Sequence, residues 1–105
     1  MENQRLETLK QFIEANPNDC FARYGVAQEY VKRGENEKAL EEFNRIVEIN
    51  PDYQAAYYHA GKTYEKLQRV DEARSIFEKG IEVATRSGDL HARSELEEAL
   101  GALGT

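Results

Sequence analysis

The sequence has 105 residues, of which 40% are hydrophobic and 32% charged, and only two are prolines. This size and balance predict one folded domain of amphipathic helices, and they exclude a disordered or proline-rich linker protein. The formal net charge of -6 disfavours binding to nucleic acids and to anionic membrane surfaces, because like charges repel. No apolar run is long enough to span a bilayer.

The N-terminus has no apolar stretch of the kind that a secretion signal needs. Cys20 is the only cysteine, so the chain cannot form an internal disulfide or a cysteine-rich metal cage. An unpaired thiol suits a reducing compartment. We therefore expect a cytoplasmic protein.

The first predicted helix spans residues 2–15 and ends at Asn16-Pro17, since proline and the residue before it stop helices. Its inner face carries Leu6, Leu9, Phe12 and Ile13. A second helix follows over 21–33, where apolar or small residues recur every three or four positions and Gly34 provides a C-cap. A third helix begins at Asn36, read as its N-cap, and ends at Asn50-Pro51.

The next two predicted helices repeat this plan. Tyr57, Ala60, Gly61 and Tyr64 mark the fourth helix, and Asp71 is the expected N-cap of the fifth. The inner face of the fifth helix carries Ala73, Ile76, Phe77, Ile81 and Val83. Charged pairs four residues apart are expected on solvent faces: Glu29 with Arg33, Glu41 with Arg45, and Glu82 with Arg86.

A sixth helix is predicted at the C-terminal end. Gly88 breaks the chain, Asp89 can cap the new helix, and an apolar stripe is backed by acidic residues. The stripe comprises Ala92, Leu96, Ala99, Leu100 and Leu103. A helix with a polar outer side is what the open end of a helical stack needs for solubility.

The chain matches itself when it is shifted by thirty-four positions. Placing 14–49 on 48–83 gives ten identities in 36 pairs, where average residue usage would give roughly two. Asn16-Pro17 aligns with Asn50-Pro51, and further identities pair Ala22 with Ala56, Tyr24 with Tyr58, Tyr30 with Tyr64, Ala39 with Ala73, and Phe43 with Phe77. Each unit is two helices joined by a short turn.

A two-helix unit of this length resembles the tetratricopeptide repeat family, in the form of a small stand-alone protein of bacterial type. Small residues stand at its eighth position (Ala27, Gly61) and twentieth position (Ala39, Ala73), as in that family. Three residues depart from the pattern: Arg23 replaces a large aromatic, Gly80 an alanine-like residue, and Thr85 the closing proline. The last departure predicts that the fifth helix runs on to Ser87.

The resemblance implies an all-α superhelix of antiparallel hairpins within a single domain, residues 1–105. Its expected parts are an N-terminal half repeat (1–17), two repeats (20–53 and 54–87) and a capping helix (89–103). The implied function is a protein-interaction module, scaffold or adaptor that binds a peptide or helix of a partner on its concave face. On the matching positions that face comprises Phe21, Tyr24, Gln28, Val31, Ala55, Tyr58, Lys62 and Glu65.

Two alternatives stay open at this stage. Tyr24 and Tyr58 can instead pack on neighbouring helices, or under the C-terminal cap, and contact no ligand. The chain can also be a self-associating structural protein, a monomer or weak homodimer, because Leu96, Leu100 and Leu103 fit either its own last hairpin or a second copy. The lysine and asparagine clamp with which some family members grip acidic chaperone tails is absent here.

Nothing in the sequence favours an enzyme. His59 and His91 are far apart and lack the spacing of a metal-binding pair, the carboxylates are spread over solvent faces, and no glycine-rich phosphate loop is present. We expect no catalytic residue, no metal site and no cofactor.

Overall fold

The computed structural model describes residues 4–104, and these residues form six α-helices without any strand. The helices are α1 (Gln4–Ala15), α2 (Cys20–Lys32), α3 (Asn36–Ile49), α4 (Gln54–Lys66), α5 (Val70–Ser87) and α6 (Leu90–Ala102). The predicted all-helical architecture is confirmed, including the extension of α5 to Ser87. Residues 2 and 3, included in the predicted first helix, lie outside the described part.

The helices form a stack in which each packs mainly on its neighbours in the chain, and α4 also contacts α6. The core divides accordingly into three clusters along the stack. One joins α1 to α2, one joins α2, α3 and α4, and one joins α4, α5 and α6. This linear arrangement is typical of helical repeats, where each unit is stabilised by the next.

Small residues let the paired helices approach closely. Ala27 and Ala39 are fully buried between α2 and α3, and the aromatic rings of Phe43 and Phe77 are fully buried at equivalent places in the two repeats. A methyl group on Gly61 would overlap the Phe77 ring. Close packing of backbone against an aromatic ring therefore holds the α4–α5 hairpin together.

Glycine at position 80 has the same role where α5 packs on α4 and α6. A methyl group there would stand 2.7 Å from the Tyr57 Cβ and 3.0 Å from the Leu96 Cδ1. Leu96 is itself almost fully buried, and Leu100 and Leu103 pack on the same cluster. Gly80, one of the three residues that depart from the family pattern, thus allows α6 to pack closely on the α4–α5 hairpin.

Three helices end in the same turn. Gly34, Gln68 and Gly88 have left-handed φ angles of 76°, 60° and 75°. The residue after each donates its backbone N–H to a carbonyl five residues earlier, as in Arg69 to Tyr64 at 2.9 Å. This is the hydrogen-bond pattern of a Schellman C-cap, and Gln68 adopts it without glycine's freedom.

The predicted N-caps are correct at one helix and wrong at two. The Asp89 carboxylate accepts the Ala92 N–H at 3.0 Å, and Asp19 caps α2 in the same way through Ala22. Asn36 and Asp71, in contrast, lie inside the first turns of α3 and α5, whose N-caps are Glu35 and Arg69. The turn after the left-handed residue is shorter than the sequence predicts.

Two predictions about side-chain faces are also wrong. Phe12 is 54% exposed, although Leu6 and Leu9 of the same helix are buried as expected. Glu29 does not lie on a solvent face: it is buried, and its carboxylate binds the Arg5 Nε at 3.1 Å and the Lys32 Nζ at 3.6 Å. Among the described residues, the other two predicted ion pairs do not form either: Arg45 pairs with Glu48 instead of Glu41, and Glu82 pairs with Lys79 instead of Arg86.

Candidate functional site: the wall formed by the first helices

The first helices of the hairpins, α2 and α4, border two open cavities, one shared with α1 and the other with α6. The first cavity, of about 430 Å³, lies between α1 and α2 and is lined by Arg5, Leu9, Phe21, Tyr24, Gly25, Gln28, Glu29, Val31 and Lys32. The second, of about 420 Å³, lies between α4 and α6 and is lined by Gln54, Ala55, Tyr58, His59, Asp89, Ala92, Glu95 and Leu96. We call them the α1/α2 cavity and the α4/α6 cavity.

The predicted wall residues are distributed over both cavities. The four in the first unit (Phe21, Tyr24, Gln28 and Val31) all line the α1/α2 cavity. Ala55 and Tyr58 line the α4/α6 cavity. Lys62 and Glu65 belong to neither set and form an ion pair further along α4, with 3.4 Å between Nζ and Oε1. Six of the eight residues thus border concave surface.

Tyr24 has both a packing contact and a polar contact. Its ring lies 5.6 Å from the rings of Tyr53 and His59 and 6.2 Å from that of Phe43. Its hydroxyl accepts a hydrogen bond from the Gln28 amide at 3.0 Å. Burial raises the pKa of the Tyr24 hydroxyl, which stays neutral. One face of Tyr24 is therefore structural, while its remaining surface lines a cavity.

Tyr58 occupies the equivalent place in the second unit but is held by fewer aromatic contacts. Its ring stands edge-on to His59 at 5.2 Å and tilted to Phe77 at 6.4 Å. The side chain is half-buried and borders the α4/α6 cavity. A tyrosine placed in this way offers a rigid apolar surface and a hydroxyl to a peptide.

His59 is a wall residue that the sequence did not single out. It connects the two units, since its ring contacts Tyr24 of α2, stacks on Phe43 of α3 at 6.2 Å and touches Tyr58 of its own helix. Burial lowers the pKa of His59, which favours the neutral ring. Its equivalent in the first repeat is Gly25, so the repeat alignment contains no signal for a shared role.

The two cavities differ in charge. The α1/α2 cavity has two cations, Arg5 and Lys32, around the buried Glu29 carboxylate. The charged residues of the α4/α6 cavity are Asp89 and Glu95. Asp89 caps α6, and the Glu95 carboxylate lies 3.6 Å from the His91 ring. The wall therefore has surfaces of opposite charge at its two ends.

Within residues 4–104, no group of histidine, cysteine and acidic side chains could hold a metal ion. Over the same part of the chain, no helix is long and apolar enough to cross a membrane.

The comparisons with known proteins agree with this geometry. A family model described as TPR repeat matches residues 27–68, and one described as tetratricopeptide repeat matches 54–86. A tetratricopeptide repeat domain protein from Salinibacter ruber is 44% identical over 81% of this chain and 94% of that chain, with a TM-score of 0.75. The chain belongs to the tetratricopeptide repeat family, whose fold serves protein interaction.

More distant structures share the fold. The TPR2B domain of yeast Sti1, in its complex with an Hsp70 peptide, has a TM-score of 0.87 at 13% identity, covering 93% of this chain and 78% of that chain. The first TPR domain of Spaghetti, bound to the HSP90 peptide SRMEEVD, has a TM-score of 0.75 at 23% identity, covering 95% and 78%. Among curated proteins, none matches the chain.

Proposed function

We propose that this protein is an adaptor or scaffold that binds a peptide or helix of another protein along the wall of α2 and α4. The observation that supports this most directly is that six of the eight predicted wall residues border two cavities on these helices. The proposed units are a half repeat in α1, repeats in α2–α3 and α4–α5, and a cap in α6. We also propose a cytoplasmic location, which the free Cys20 thiol supports.

The side chains on this wall suit a polypeptide ligand. Tyr24 and Tyr58 offer apolar rings at equivalent places in successive repeats, and Gln28 and Lys62 offer hydrogen-bond donors beside them. Sti1 and Spaghetti, which have this fold, are bound to chaperone peptides in their structures, and this supports a peptide as ligand here. The charged clamp for acidic tails is absent, so we propose a ligand of different chemistry.

Partner binding is favoured over self-association as the main role. The leucine stripe that suggested self-association packs on the chain's own α4–α5 hairpin. The short wall formed by two repeats and their flanking helices supports a complex of about -8 kcal/mol, a micromolar dissociation constant.

The test begins with cross-linking of the protein to its partner in cell extract, followed by synthesis of the captured segment as a peptide. Isothermal titration should then show that Tyr58→Ala weakens binding by about 1–2 kcal/mol, because an aromatic contact is lost. Val70→Ala is the matched control, since Val70 is a partly exposed apolar residue at the start of α5, outside both cavities. Circular dichroism checks that both variants are folded at the titration temperature.

Equal affinity of folded Tyr58→Ala and the unmodified protein would contradict the proposed wall. Amide chemical shifts that change on the second helices, α3 and α5, and not on α2 and α4 would contradict it as well.

A further inference from the structure

The sequence repeat allows one end of the molecule to be compared with its middle. Helix α1 aligns with α3, so Phe12 is equivalent to Ile46. Ile46 is completely buried, whereas Phe12 is 54% exposed. The difference follows from packing: α3 lies between α2 and α4, but among the described residues α1 packs extensively on α2 alone. Within residues 4–104, no helix covers Phe12 as α4 covers Ile46.

A second exposed phenylalanine lies beside it. Phe21, at the start of α2, is 75% exposed, and it lines an open groove of about 450 Å³ with Phe12 and Leu9. We call this the end groove; its other lining residues are Gln4, Arg5 and Thr8. Two large aromatic side chains that face one groove form an apolar patch of the kind that marks interaction sites.

The end groove continues into the α1/α2 cavity, with which it shares Arg5, Leu9 and Phe21. The charged residues of the combined surface are Arg5, Lys32 and Glu29, a net charge of +1. The whole chain has a net charge of -6. The Arg5 side chain is 64% exposed although its Nε contacts Glu29, so it also faces solvent. The surface therefore attracts an acidic partner.

We propose that the end groove is a second docking site and that it seats an acidic amphipathic helix of a partner protein. Of the eight predicted wall residues, the end groove includes Phe21 alone. The helix takes the place that a first helix has in a hairpin, packing on α1 as α2 packs on α3. Its apolar stripe covers Phe12, Phe21 and the edge of Leu9. The docked helix would thus extend the stack by one helix at the α1 end, through the same kind of interface that joins α2 to α3.

The internal hairpins also indicate what the occupant carries opposite Arg5. The residues equivalent to Arg5 are Ala39 and Ala73, both fully buried where paired helices touch. Arginine at that place prevents the same close approach and presents a cation instead. The docked helix would therefore lie further from α1, and a carboxylate on it could pair with Arg5 in the space between them. This requirement distinguishes a partner helix from a further copy of α2 or α4.

Two segments of this chain provide matched probes. The peptide of residues 89–103 is an acidic amphipathic sequence with a leucine stripe, and the peptide of residues 53–67 comes from a first helix with more basic than acidic residues. Both are synthesised with blocked ends and titrated into the isotope-labelled full chain, followed by nuclear magnetic resonance. We expect the acidic peptide to produce saturable shifts at Phe12 and Phe21, and to bind at least fivefold more tightly than the other.

Single substitutions test whether the acidic peptide binds in the end groove. Phe12→Ser should weaken binding of the acidic peptide at least tenfold, and Phe21→Ser should act in the same direction. Leu90→Ser is the control, because Leu90 is 71% exposed on α6, outside the end groove. Tyr58→Ala should leave this binding unchanged, so that failure of the end groove and failure of the wall give different results.

Three results would overturn the proposal. One is the absence of saturable shifts on α1 and the start of α2. Another is a set of shifts confined to α4 and α5, which would mean that the acidic peptide replaces the chain's own α6. The third is a protein whose mass in light scattering rises with concentration and returns to 12.0 kDa in Phe12→Ser, which would assign the groove to a second copy.

Discussion

Arg23 and Tyr57 stand at equivalent places in the two repeats and make the same hydrogen bond with different chemistry. The Arg23 Nε donates to the Pro17 carbonyl at 2.8 Å, and the Tyr57 hydroxyl donates to the Pro51 carbonyl at 2.7 Å. Arg23 also binds the Glu42 carboxylate at 2.8 Å. Each bond ties the first helix of a hairpin to the proline turn that precedes it, so Arg23 replaces the missing aromatic residue in this contact.

Replacing Arg23 tests this equivalence. Arg23→Ala should lower the free energy of unfolding by about 1–3 kcal/mol, because it leaves the half-buried Glu42 carboxylate without its partner. Arg23→Tyr should lower the free energy of unfolding by less, since a tyrosine there can restore the hydrogen bond to the Pro17 carbonyl. Urea denaturation of the unmodified protein and the two variants measures these stabilities. An equal decrease in both variants would refute the shared role of Arg23 and Tyr57.

Gly61→Ala should destabilise the protein by about 1–3 kcal/mol, because the added methyl group overlaps the Phe77 ring in a tightly packed interface. Gly101→Ala is the matched control in α6, where nothing lies within 4 Å of the added carbon. That change should be neutral or stabilise by up to about 1 kcal/mol through helix propensity. Thermal denaturation distinguishes them, and similar melting temperatures would contradict the close α4–α5 contact.

Gln68→Gly should stabilise the protein by about 0.5–1 kcal/mol. Gln68 adopts a φ of 60°, which strains a residue with a Cβ, and glycine relieves the strain at some cost in unfolded-state entropy. The reciprocal change Gly34→Gln, at the equivalent turn, should destabilise by a similar amount. Equilibrium unfolding in urea checks both signs; stabilisation by Gly34→Gln would show that the two turns are not alike.

Protonation of His59 should destabilise the folded protein. Because burial lowers its pKa in the folded state, the unfolded chain binds more protons once the pH falls below about 6.5. The free energy of unfolding should therefore decrease from pH 6.5 downward, by up to about 1.4 kcal/mol per pH unit, until the folded-state pKa is reached. His59→Phe should flatten the curve below pH 6.5, and a curve as steep as that of the unmodified protein would contradict the prediction.

The order and pairing of the helices could be predicted from the sequence because they depend on local signals. Gly34, Gly88 and the two Asn-Pro pairs mark where helices end, and the regular repeat spacing indicates which helices form equivalent hairpins. The sequence misassigns the cap of α5 to Asp71 because an acidic residue is favourable throughout the first turn of a helix as well as at its cap. Local patterns therefore locate a helix end to within one or two residues.

The contacts of the candidate site could not be predicted in the same way. The periodicity places Phe12 on the apolar face of α1, but it carries no information on whether another helix covers that face. The position of His59 depends on rings from α2 and α3, which are remote in sequence. Glu29 is buried because Arg5, from a different helix, reaches it. Such features arise from the relative placement of helices.

The single-sided packing of α1 has a kinetic consequence. Leu6 and Leu9 are its only buried side chains in the described part, and α2 is the helix they rest on. Opening of α1 therefore breaks one extensive interface, whereas opening of α4 breaks three. In hydrogen–deuterium exchange the amides of α1 should lose their protection first, and those of α4 and α5 last. A helix bound in the end groove would add a second support for α1 and slow that exchange selectively.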